Sequence, residues 1–149
     1  ICMKNHKDCD FITCNSYIKR GEESYEPFII PNHFKVDPIK SILQSNYIMS
    51  PTVLIRKSVL LDVGLFDEKF PSCQDWDLWT RIILKGYKIV TLNKILTIYK
   101  KDNINSIGLS MNAKRGYRLY IRKHFINIIK YSTIKNWIKM IFVYLGTYR

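Results

Sequence analysis

The sequence predicts an α/β domain, and three observations carry that prediction. Residues 10–18 are dense in β-formers and read as a buried strand. Residues 74–86 place apolar side chains at helical spacing behind an acidic first turn and ahead of a glycine. From residue 110 onward the pattern becomes helical and strongly basic. A chain of 149 residues is long enough for one domain with its own core and short for two.

Taken in order, Asp8-Cys9-Asp10 stands at the start of the first strand and reads as a turn or cap. Lys19-Arg20-Gly21-Glu22 ends that strand as a turn. Residues 26–32 suit an extended segment edged by Pro27 and Pro31. Asp37 as N-cap and Pro38 at the first helical position open a short helix carrying Ile39, Ile42 and Leu43. Val53-Leu54-Ile55 is a compact apolar strand, after which Ser58 caps a short helix that Gly64 closes. Residues 87–91 and 95–99 read as two strands joined by a turn at Asn93-Lys94.

The central helix is Gln74-Asp75-Trp76-Asp77-Leu78-Trp79-Thr80-Arg81 and its continuation. Asp75 and Asp77 fall in the first turn, where unpaired N–H groups and the helix dipole favour negative charge. Leu78, Ile82 and Ile83 make the core face, and Lys85-Gly86 supplies a cation and a left-handed stop. Asp77 and Arg81 are one helical turn apart and can pair for about 0.2–0.5 kcal/mol on an exposed surface. Ordinary helix construction accounts for all of this. Aromatic side chains at such spacing, Trp76 and Trp79 included, more often fill a core than bind a ligand.

Cys2, Cys9, Cys14 and Cys73 show no zinc-site spacing and read as reduced, packed thiols. His6, His33 and His124 are scattered and suit surface or packing roles. The formal charge of +12 favours partners that are nucleic acid, anionic lipid or phosphorylated small molecules. No zinc-finger, RRM or KH pattern accompanies it, which speaks against nucleic acid. In residues 110–149, Tyr120, Ile121, Phe125, Ile128 and Trp137 recur among Arg115, Arg118, Arg122, Lys130 and Lys135 as basic amphipathic helices. Such helices either cover a face of the domain or dock on anionic lipid, and both readings stand at this stage.

One block does more than specify a fold. Pro51-Thr52-Val53-Leu54-Ile55-Arg56-Lys57-Ser58 leads to Val63-Gly64-Leu65-Phe66-Asp67-Glu68, then to Gln74-Asp75-Trp76-Asp77-Leu78-Trp79-Thr80-Arg81 and Gly86-Tyr87. Over residues 50–99 this resembles the acceptor-side half of family 2 glycosyltransferases of the GT-A fold. Those enzymes run from a strand ending in Arg through a "Gly-Phe-Asp-Glu" turn to a "Glu-Asp-x-Asp-Leu-x-x-Arg" helix. The resemblance implies part of a GT-A mixed sheet with flanking helices over residues 1–109, followed by a basic helical tail over 110–149. It implies a longer protein whose nucleotide-binding half, with the metal-holding Asp-x-Asp, lies upstream of Ile1.

The resemblance further implies an inverting transfer of sugar from a nucleotide-sugar donor to a glycan or lipid-linked acceptor, in cell-surface polysaccharide or lipopolysaccharide synthesis. Asp75 matches the family's general base. Thr52, Gln74, Trp76, Asp77 and Arg81 match positions on the acceptor side, with Gln74 standing where the family has Glu. The family's divalent Mg or Mn finds its main ligands outside this chain, and its later His is replaced by Tyr99-Lys100-Lys101-Asp102-Asn103. The chain by itself is then expected to be inactive, and the whole enzyme to work in the cytoplasm at the inner face of the membrane. The alternative is a non-catalytic basic module that binds anionic membrane or a protein partner.

Overall fold

The sheet is organised on β1 (Phe11–Arg20), whose first six residues are all buried. The computed structural model describes residues 9–21, 24–100 and 111–145. The strand β4 (Ile89–Lys100) lies parallel to β1 along its whole length. Because a strand has two hydrogen-bonding edges, the other strands share the opposite one. There β3 (Leu54–Ile55) pairs antiparallel with the start of β1, and β2 (Ser24–Phe28) pairs antiparallel with its end. Polar side chains on this buried strand are satisfied, as burial requires. Thr13 bonds Thr52 at 2.9 Å, and Asn15 accepts the Ile30 N–H at 3.0 Å.

Helices flank the sheet: α1 (Asn32–Val36), α2 (Pro38–Gln44), α3 (Lys57–Asp62), α4 (Gln74–Leu84), α5 (Met111–Tyr131) and α6 (Ile134–Leu145). A 3₁₀ turn, Ser50–Thr52, precedes β3. This mixed sheet with flanking helices is consistent with part of a GT-A fold. Local rules set several boundaries. Asp37 caps α2 by accepting the Lys40 N–H at 2.9 Å, with Pro38 in the first turn. Both α3 and α4 end in Schellman motifs. In α3 the Gly64 and Leu65 N–H groups return to Leu61 and Leu60, and in α4 those of Gly86 and Tyr87 return to Ile83 and Ile82. Gly64 and Gly86 take the positive φ values of 84° and 87° that these closures need.

Three expectations change. Asn93-Lys94 makes no turn: β4 is one strand, and the extra residues are absorbed as bulges opposite Cys14, Asn15 and Ser16. The Asn93 side chain faces β1, accepting from Asn15 at 3.3 Å. The extended segment expected at 26–32 divides instead, with Pro27 inside the edge strand β2 and Pro31 at the N-terminal boundary of α1. Ser58 lies within the first turn of α3, whose N-cap position is Arg56.

In the segment read as a basic helical tail, α5 covers a face of the domain, one of the two roles its sequence allowed, and contributes to the same core as the sheet helices. Tyr120, fully buried, stacks on Trp76 with centroids 3.9 Å apart and bonds both Thr80 at 2.8 Å and the Ile42 carbonyl at 3.1 Å. An aromatic pair of this kind adds about 0.5–1.5 kcal/mol beyond its buried area. Close approach is set by Gly116, where an added methyl would overlap the backbone and side chain of Ser72. Gly116→Ala is expected to cost about 1–3 kcal/mol by overpacking. The readout is a lower urea midpoint at unchanged slope, and an unchanged midpoint would contradict this contact.

Candidate active site

A cavity of about 690 Å³ opens at the N-terminal end of α4. The start of that helix supplies Cys73, Gln74, Asp75 and Trp76, and the preceding segment supplies Phe66, Asp67, Glu68, Phe70 and Ser72. Asn46, Ser50 and Tyr99 complete the wall. Aromatic side chains with a few convergent polar groups are the usual lining of a small-molecule pocket.

Asp75 is half-buried and aimed into this space. Its Oδ2 accepts from Asn46 Nδ2 at 3.2 Å and Ser50 Oγ at 3.0 Å, and its Oδ1 accepts the Trp76 N–H at 2.7 Å. An ionised carboxylate offers about four acceptor positions, so three are filled and one, on Oδ1, is left. Among the described residues no cation pairs with Asp75. Its two side-chain donors are themselves held in place. Asn46 Oδ1 accepts the Ile48 N–H at 3.1 Å. Ser50 opens the 3₁₀ turn that Thr52 pins, Thr52 Oγ1 donating to the Met49 carbonyl at 2.7 Å.

Asp77, two residues on, has the opposite environment. It is fully buried and closed within three nitrogen partners. Arg81 Nε and Lys123 Nζ reach Oδ2 at 2.9 and 3.0 Å, and His124 Nε2 reaches Oδ1 at 2.8 Å. Burial pushes the Asp77 carboxyl up, but hydrogen bonds from His124 and Lys123 with the Arg81 and Lys123 charges outweigh it, leaving it below the ordinary range. Arg81 in turn donates to the Val63 carbonyl and to the Leu65 carbonyl at 2.6 Å, and Lys123 bonds Asp67 at 2.8 Å. Lys123 is also the chief reason the Asp67 carboxyl is lowered.

The six residues matched to the site thus separate. Gln74, Asp75 and Trp76 border the cavity, whereas Thr52, Asp77 and Arg81 do not. The latter three brace it: Thr52 holds the turn carrying Ser50, and Asp77 with Arg81 holds the segment from Val63 to Leu65. Trp76 borders the cavity while its indole is largely core, stacked on Tyr120 and donating to the Ile42 carbonyl at 2.6 Å. Trp79 is a core ring against Phe11. His124, read from sequence as a surface or packing residue, is buried on Asp77.

Sequence reasoning assigned no site role to Asn46, Ser50, Phe70 or Tyr99. Asn46 and Ser50 lie 29 and 25 residues before Asp75 and carry no local signal. Phe66, Asp67 and Glu68 were visible within the "Gly-Phe-Asp-Glu"-like turn, but nothing in that turn says which side faces a cavity.

Among the described residues no three His, Cys, Asp or Glu side chains converge as a metal site. Asp10, of the Asp8-Cys9-Asp10 run, accepts the N–H of Lys88 at 3.0 Å, a long-range contact beside the start of β4; Asp8 lies outside the described residues. No chemical step is assigned to a divalent cation.

Comparison with known proteins agrees with this geometry. The model of the family described as "Glycosyltransferase like family 2" matches residues 1–141. An uncharacterized glycosyltransferase of Methanocaldococcus jannaschii is 21% identical over 150 residues, covering 96% of this chain and 52% of that protein. The chain thus spans about half the length of that relative. Because the family match takes in every element that builds the cavity, the chain belongs to glycosyltransferase-like family 2.

Proposed function

We propose that this chain is the acceptor-side part of an inverting glycosyltransferase in which Asp75 is the general base. The acceptor hydroxyl lies in the 690 Å³ cavity and attacks the anomeric carbon of a nucleotide sugar from the face opposite the leaving group. As the new C–O bond forms, the hydroxyl proton passes to Asp75 Oδ1. The bond to the nucleoside diphosphate breaks, and the electron pair leaves with the diphosphate. A general base must sit within hydrogen-bond reach of the proton it takes, and such a group contributes about 10²–10⁴-fold.

The observation that carries this reading is the open acceptor position on Asp75, held by neutral donors at the cavity while its neighbour Asp77 is closed by cations. Gln74 in place of Glu leaves one carboxylate fewer beside the base. Donor and any divalent cation are assigned to parts of the whole enzyme outside this chain. The acceptor is a glycan or lipid-linked sugar in cell-surface polysaccharide or lipopolysaccharide assembly. Transfer by Asp75→Asn in the whole enzyme, followed as nucleoside diphosphate release, is the test.

A second reading concerns where the enzyme works. Ile126, Ile129, Ile134, Ile138 and Phe142 are exposed on α5 and α6, among exposed Arg115, Arg122, Lys130 and Lys135. Among the described residues no helix is long and apolar enough to cross a membrane. This mixture suits peripheral docking on anionic lipid at the cytoplasmic face, with each basic side chain adding about 1 kcal/mol. Since α5 is core, the test uses substitution instead of deletion. The triple variant Arg122→Gln, Lys130→Gln, Lys135→Gln is expected to bind phosphatidylglycerol vesicles roughly 100-fold more weakly. Unchanged sedimentation with these vesicles, or equal binding to neutral phosphatidylcholine, would overturn the reading.

A further inference from the structure

Phe66, Asp67 and Glu68 line two cavities at once, the 690 Å³ cavity on one side and another of about 570 Å³, bounded also by Arg81 and Lys123, on the other. The Phe66 ring meets Trp79 edge-on with centroids 6.4 Å apart and Phe70 is buried in the core, and between them the wall is positioned by tethers. These fall at alternate residues. Arg81 holds the Val63 and Leu65 carbonyls, and Lys123 Nζ holds Asp67 Oδ2 at 2.8 Å. The same ammonium stands 5.2 Å from the ring centroid of Phe70, also on the cavity wall, and 3.0 Å from the buried Asp77. Within the wall Asp67 accepts the Lys69 N–H at 3.1 Å, and its carbonyl accepts the Phe70 N–H at 3.1 Å, so a turn joins Asp67 to the buried Phe70.

We propose that Lys123, on α5 and outside the cavity lining, is a positioning residue that fixes the aperture of the cavity by latching Asp67 to the fully buried Asp77. The proposal rests on the reading of that cavity as the acceptor site. Asp77 is anchored in α4 directly beyond Asp75, so the latch refers the wall to the same helix turn that carries the base. Charge-assisted bonds to a desolvated carboxylate are the stronger kind, which suits a short tether on the exposed stretch between Phe66 and Phe70.

Cys73 reports on the wall, because its half-buried thiol lines the same cavity while Cys9 and Cys14 are buried elsewhere. The whole protein is treated with iodoacetamide and alkylation at each cysteine is followed by peptide mass spectrometry. Lys123→Met is expected to speed Cys73 alkylation about 10-fold or more, by loss of charged hydrogen bonds, with Cys9 and Cys14 remaining slow. Lys123→Arg, which keeps a cation in reach, is expected to stay within about threefold of the parent. Asp67→Ala removes the acceptor of Lys123 without touching Asp77 and is expected to match Lys123→Met, so it decides the matter where Lys123→Met fails to fold. Cys73 rates within about twofold of the parent in the folded latch variants, or equal acceleration by Lys123→Arg and Lys123→Met, would overturn the proposal. Alkylation reads the wall whether or not an acceptor binds there, so it stands or falls separately from the transfer assay.

Discussion

Asp75→Asn in the whole enzyme is expected to lower the rate of sugar transfer at least about 100-fold, the loss that follows removal of a general base. The change is nearly isosteric, so the Asn46 and Ser50 side chains keep a partner at this position. What disappears is the negative oxygen that receives the hydroxyl proton. Because the amide still occupies the cavity wall, kcat is expected to fall far more than the acceptor KM rises, the pattern of a group acting in the transition state. Urea unfolding of the variant should move by less than about 1 kcal/mol, since Asp75 is only half-buried and closes no ion pair among the described residues. A folded variant retaining a tenth of the parent rate would assign the proton to another group.

Asp77→Asn is expected to do the reverse, destabilising the fold by about 1–3 kcal/mol because it removes the fully buried anion on which three side chains converge. Arg81, Lys123 and His124 all converge on that carboxylate within 3.0 Å. The pH dependence follows from the lowered Asp77 carboxyl. A carboxyl held below its unfolded value stabilises the fold fully above that value, here 3.8, and loses the contribution as pH falls through the lower folded value. The stability gap between parent and variant should therefore be constant near neutrality and shrink on acidification below 3.8. Urea unfolding of both proteins across pH gives the gap. A gap under about 1 kcal/mol at neutral pH, or one that widens in acid, would contradict the buried-hub role.

The two aspartates show what the sequence makes legible and what it does not. Both sit in the first turn of α4, where composition and the helix dipole favour either alike. Only tertiary contacts separate them, because the residues that close Asp77 come from one turn later and from α5, 46 and 47 residues away. Local signals were sound where local physics decides. Asp37 and Pro38 open α2, Gly64 and Gly86 close α3 and α4, and Phe11 with its neighbours forms the central strand. The helical pattern of α5 was equally plain, yet its partner was not. An amphipathic stripe says that one face is covered, while the stacking of Tyr120 on Trp76 and the fit of Gly116 against Ser72 depend on pairings that no spacing encodes. The bulged β4 hid for a related reason: Asn93-Lys94 is turn chemistry in isolation, and only Asn15 across the ladder holds it within the strand.

The base assignment is tested most directly by a crystal structure of the whole enzyme with nucleoside diphosphate and an acceptor sugar bound. The attacking hydroxyl is expected within roughly 2.6–3.2 Å of Asp75 Oδ1, inside the cavity bordered by Trp76 and Tyr99. An attacking oxygen seated in another cavity, or nearer a different carboxylate than Asp75, would contradict it.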